Sequence, residues 1–162
     1  MPEDATGSPA SPESAFQEYE RPIRVRNYKL GALLAGIFMP CGATLDYFTH
    51  GWETTLTLLP NRLICAVLLG AIWLKLHFDP ETTRSRVLGF GVAFLPLLSI
   101  SWMIYDLGGA TSTYYAGLNL IMVGSAILLR WTVADSVVIV VLTFVTYLFV
   151  CMVLRGPIGD IG

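Results

Sequence analysis

Two ionisable residues of opposite sign lie inside apolar stretches of this 162-residue sequence: Asp46, in Leu45-Asp46-Tyr47-Phe48, and Arg62, one turn into the next run. A charge in hydrocarbon is costly, so such a residue pairs with another, hydrates, or reaches outward to the headgroups, and an intramembrane carboxylate is a functional candidate by default. The two residues fall at the same ends of consecutive spans. That placement fits an ion pair or a shared water cluster; it equally fits a structural pair orienting two helices, or two side chains snorkelling separately. Asn119, about one turn into a later apolar run, offers an amide for a cross-helix hydrogen bond worth ~1 kcal/mol, or for contact with a ligand.

Other chemistry finds little footing. His50 and His77 each carry an imidazole that suits haem iron or the magnesium of a pigment. Each stands at a span edge beside an aromatic residue, and the two fall on opposite sides of the bilayer, so they cannot share a metal; no cofactor beyond bound lipid is expected. Cys41, Cys65 and Cys151 lie in apolar segments without a CxxC spacing and read as buried reduced thiols. Gly89-Phe90-Gly91 lacks the strand and lysine of a phosphate-binding loop. No nucleophile–base arrangement is visible, so the chain reads as non-catalytic, with no metal site.

The elements that must hold these residues follow from composition. With 54% hydrophobic residues, 14% charged residues and a mean hydropathy of +0.63, the chain is too apolar for a soluble domain of its size. Its runs are continuous rather than alternating, which predicts an all-α integral membrane protein, because each helix satisfies its own backbone in lipid. About five transmembrane helices are expected: from Leu30 to about Phe48, from about Leu58 to Leu76, from Val87 to about Tyr105, from Tyr114 to Arg130, and a last one ending near Leu154. The spans together form a bundle over residues 30–155.

Residues 1–14, rich in Pro, Ser, Gly and acids, have the composition of a tail that orders only against a partner. Residues 15–29 form a basic juxtamembrane segment with Arg21, Arg24, Arg26 and Lys29 on an anionic leaflet, and residues 156–162 are a short tail. The acidic, Pro/Ser-rich leader lacks a basic n-region, so the first span is expected to act as an uncleaved anchor. Thr49–Thr55 reads as a polar connection and Asp79-Pro80-Glu81 as a helix start.

Trp52, Trp102, Tyr105, Tyr114, Tyr115 and Trp131 sit at span ends and read as interfacial anchors. Ala32 and Gly36 form a small-xxx-small pair for close helix approach, and Pro40 is expected to kink its span. With the amino terminus inside, Arg21, Arg24, Arg26, Lys29, Lys75, Arg84, Arg86 and Arg130 lie on the cytoplasmic side, against Arg62 and Arg155 outside, which is the bias that sets topology. The expected arrangement is five spans, N-in and C-out, in a bacterial inner membrane.

The stretch Tyr114-Tyr115-Ala116-Gly117-Leu118-Asn119-Leu120 resembles a motif in the N-terminal multi-span membrane regions of bacterial sensor histidine kinases and class III adenylate/guanylate cyclases. The basic lead into the Pro40 span, the Leu45-Asp46-Tyr47-Phe48 exit and the Gly/Ser/Thr-rich loop before Tyr114 extend the likeness. The resemblance implies a membrane module detached from its output; those regions usually have a sixth span and a kinase or cyclase domain, and no such activity carries over. The leading expectation is a non-catalytic accessory subunit packing against other integral membrane proteins and lipids, as in a photosynthetic or respiratory complex, or self-associating. The alternatives are a sensory transmembrane domain and, further back, a small carrier with Pro40 and Pro96 interrupting its helices. Nucleic acid is not an expected partner.

Overall fold

The computed structural model of the chain describes residues 12–80, 84–107, 114–129 and 133–150. The expected tail before Pro12, Arg130, Trp131, Cys151, Arg155 and residues 156–162 lie outside these, as does the side chain of Tyr115. Five helices account for nearly all of what is described: α1 (Pro12–His50), α2 (Trp52–Phe78), α3 (Ser85–Asp106), α4 (Tyr115–Leu128) and α5 (Val133–Leu148). The first three are long and apolar enough to cross a membrane.

Helix α1 has 39 residues, ~58 Å at 1.5 Å per residue, about twice the hydrocarbon thickness. The basic segment is therefore the first half of the same helix that spans. It is steadied by a Glu20–Arg24 pair one turn apart, at 3.2 Å. Pro22 and Pro40 both lie within the helix, which runs on through each. Pro96 likewise sits inside an unbroken α3, so the interrupted spans of the carrier reading are not realised.

The expected polar connection between the first two spans is a single residue. Gly51 takes φ 85°, a left-handed value that glycine adopts without a steric cost. Its N–H donates to the Tyr47 carbonyl and its own carbonyl accepts from the Thr55 N–H and hydroxyl. Thr49, His50 and Trp52–Thr55 are helical, so α2 begins six residues before Leu58. At its far end, Asp79 does not open a helix but closes α2: its N–H donates to the Lys75 carbonyl and its carboxylate pairs with Lys75 at 3.3 Å.

A repeat of three and four residues joins α1 to α2. Val25, Tyr28, Ala32, Met39 and Asp46 are buried on α1, with Ala35 partly buried at the intervening step; Thr55, Leu58, Arg62, Cys65, Leu69 and Leu76 are buried on α2. This is the seam spacing of two helices packed side by side. At Gly36 a Cβ would lie 3.8 Å from that of Leu69, so the Ala32/Gly36 face is occupied by the chain's own second helix rather than left for a partner.

Helix α3 is buried on several sides and touches all four other helices. Gly89 makes room there for the Tyr28 ring, whose nearest carbons lie 2.5 Å from where a Cβ would be. Helices α4 and α5 have 14 and 16 residues, ~21 and ~24 Å, shorter than the ~30 Å hydrocarbon core. Three membrane-length helices and two shorter apolar ones therefore stand where five equal spans were expected.

Candidate functional site

The helices deliver Asp46 and Arg62 to facing positions of the α1–α2 seam, where heptad spacing points side chains at the partner helix. Both are buried. The guanidinium meets the carboxylate as a fork, Nε to Oδ2 at 2.7 Å and Nη2 to Oδ1 at 2.8 Å, while Nη1 donates to the Met39 carbonyl at 3.0 Å. Two parallel charge-assisted bonds fix orientation as well as sign. Arg62 thus turns inward instead of snorkelling outward. Gly42 is the device that admits it, because a Cβ at that position would collide with the guanidinium.

Tyr114 completes the cluster. Expected as an interfacial anchor with a wet hydroxyl, it instead donates that hydroxyl to Asp46 Oδ1, and its ring stands 5.6 Å from that of His50. The His50 Nδ1 lies 2.7 Å from the Thr49 hydroxyl. One carboxylate therefore ties α1 to α2 through Arg62 and to the start of α4 through Tyr114. Nothing in local sequence pattern announces a contact across 68 positions.

The cluster closes one end of a half-open cavity of about 590 Å³. Helix α1 supplies one wall, from Gly31 through Phe38 to Asp46 and His50; α4 supplies the other, from Tyr114 through Leu120 and Gly124 to Leu128. Val92, Ala93, Pro96 and Ile100 of α3 form the floor. The lining is apolar along most of its length and polar at the Asp46 end.

Several expected site residues lie elsewhere. Asn119 is exposed on α4 and lines a separate pocket of about 210 Å³ with Met122 of the same helix and Thr143 and Phe144 of α5. His77 stacks on Trp73 at 4.9 Å, well separated along α2 from Arg62. Cys65 is buried, but Cys41 is exposed, contrary to its expected burial; both are free thiols. Trp52 and Trp102 are exposed, with Tyr105 partly buried 5.9 Å from Trp102. Arg21 and Arg26 are exposed on α1, Arg24 and Lys29 partly so. No group of three or more His, Cys, Asp or Glu arranged for a metal occurs among the described residues. Sequence reading counted Arg86 toward topology alone and passed over its pairing with Asp135, at 2.6 Å, which joins the starts of α3 and α5.

Residues 51–161, about two thirds of the sequence, match the model of the MASE8 family. The chain belongs to the MASE8 family, a family of membrane-associated sensory domains. The matched region starts at the α1–α2 turn, so Arg62 and Tyr114 of the cluster fall inside it and Asp46 just before it. No curated protein and no solved structure matches the chain. Membership in MASE8, with three helices of spanning length, makes this a membrane protein with transmembrane-type helices.

Proposed function

We propose that this MASE8 chain is a non-catalytic sensory membrane domain, in which the Asp46–Arg62–Tyr114 cluster couples the occupancy of the cavity to the arrangement of α1, α2 and α4. One observation carries the reading: a buried two-bond ion pair, extended by Tyr114, joins three helices at one end of a cavity inside the bundle. Buried ion pairs are poor sources of net stability compared with apolar packing. A sensor gains from one because it has two discrete arrangements, bonded or parted, which differ enough to move helices. The resemblance to the membrane regions of histidine kinases and cyclases points the same way, toward an output placed beyond the membrane. The basic first half of α1 supports an N-in orientation in a bacterial inner membrane, and α4 and α5 complete five passes in this proposal. The accessory-subunit reading draws less support, because the small-residue face that favoured it is spent inside the chain.

The test fuses a soluble adenylate cyclase reporter to the inside, amino-terminal end of the chain and compares cyclic AMP output at matched membrane levels. Asp46→Asn and Gly42→Ala, which disturb the pair from its two sides, are expected to change output at least threefold, while the distant Gly70→Ala leaves it unaltered. Equal output from all four chains would remove the sensory reading.

A further inference from the structure

The geometry points to a ligand class: we infer that the cavity between α1 and α4 takes a single-chain, uncharged amphiphile from the surrounding bilayer, its hydrogen-bonding head at Asp46, Arg62 and His50. The inference deepens the sensory reading and concerns the same site.

The lining decides the body of the ligand. From Gly31 and Leu128 at one end to Asp46 and His50 at the other, the walls run along α1 for ~28 Å at 1.5 Å per residue, and the intervening side chains are almost all hydrocarbon. A volume of about 590 Å³ lies in the ~300–1,000 Å³ range of small-molecule sites. Its shape is a slot, long against its volume, which suits one alkyl chain rather than the two of a phospholipid. The slot belongs to the spanning part of α1 and the apolar α4, so its occupant partitions in from lipid.

The polar end decides the head. The Asp46 carboxylate repels an anion and the Arg62 guanidinium repels a cation, and their fork leaves no net charge to repay the desolvation of a charged head. Hydrogen-bonding capacity nevertheless remains. The five N–H groups of Arg62 outnumber its two bonds to Asp46, its bond to Met39 and its hydrogen bond with the Tyr114 hydroxyl, and the His50 imidazole also lines this end. A hydroxyl or carbonyl head meets these requirements.

The slot also contains its own steric test. Gly124 lines it, and a Cβ built there meets nothing within 4 Å, so a larger side chain enters the empty volume without striking the fold. Gly70, on α2 and away from the slot, is equally open and provides the control.

The experiment is native mass spectrometry of the purified full chain in maltoside micelles, titrated with monoolein, oleate, oleylamine and a dioleoyl phospholipid. Monoolein is expected to bind roughly tenfold or more tightly than each of the other three. Gly124→Leu is expected to reduce monoolein binding at least tenfold while Gly70→Leu leaves it unchanged, with both variants retaining wild-type helical circular dichroism. His50→Leu is expected to narrow the preference for monoolein over oleate. Equal retention of all four lipids, preference for oleate, oleylamine or the phospholipid, or undiminished binding in Gly124→Leu would each overturn the assignment. If the cyclase reporter answers to Asp46→Asn while monoolein fails to bind, the ligand class falls and the sensory reading stands. Monoolein binding by a chain whose reporter is silent gives the reverse result.

Discussion

Two Arg–Asp pairs among the described residues stand in different settings. In the Asp46–Arg62 pair both side chains are withdrawn from solvent, with exposures of 2% and 7%, and the contact is a two-bond fork. In the Arg86–Asp135 pair the carboxylate is 9% exposed but the guanidinium 58%, and one bond of 2.6 Å joins them. The first bridges α1 and α2 at a seam position and recruits α4 through Tyr114; the second links the starts of α3 and α5. The contrast separates a pair whose loss leaves a stranded charge from one whose arginine can rehydrate. The first also lines a cavity.

The comparison breaks most sharply at Asp46. Asp46→Ala leaves the Arg62 guanidinium buried without its counter-charge and is expected to cost about 3–5 kcal/mol, read as a fall in the thermal unfolding midpoint in micelles. The double replacement Asp46→Leu with Arg62→Met removes both charges together and is expected to recover most of that loss. Failure to recover would mean that the pair contributes net stability beyond its own desolvation. Gly42→Ala comes next: the guanidinium must leave its fork to clear the added methyl, at a cost of about 1–3 kcal/mol in the same assay. Tyr114→Phe removes one of the three bonds to Asp46 and is expected to cost about 1 kcal/mol, with the α1–α2 fork intact. The smallest effect belongs to the exposed pair. Arg86→Gln is expected to cost about 0.2–1 kcal/mol, and the difference from wild type should shrink as salt is raised, whereas the Asp46→Ala deficit should persist. A salt-insensitive Arg86→Gln deficit of several kcal/mol would make the two pairs alike.

How far the sequence revealed this arrangement varies from residue to residue. Helical class and three membrane-length helices follow from continuous apolar runs, whereas two charges at the same ends of neighbouring spans allow the meeting of Asp46 with Arg62 but equally allow separate snorkelling. The 3–4 seam was harder to read. Lipid is as apolar as a helix interface, so Leu33, Ile37 and Phe38 on the outside look no different in sequence from Ala32 and Met39 on the inside. Small residues mark the seam better than large ones: Gly36 and Gly42 stand where α2 approaches, but only the structure gives the approaching atoms as Leu69 and Arg62. Tyr114 was misjudged because a tyrosine at a span mouth ordinarily points to water, and nothing local tells that a carboxylate from the first helix waits beneath it. Asp135 went unremarked since a carboxylate at a helix start is unexceptional in itself.

The unbroken course of α1 has a mechanical consequence. Asp46 and Arg24 belong to one rod and stand ~33 Å apart along its axis at 1.5 Å per residue. Torque applied near the Gly51 turn is therefore delivered to the basic end without passing through a loop, and in the proposed orientation a twist of the carboxylate re-aims a row of arginines on the far side of the lipid.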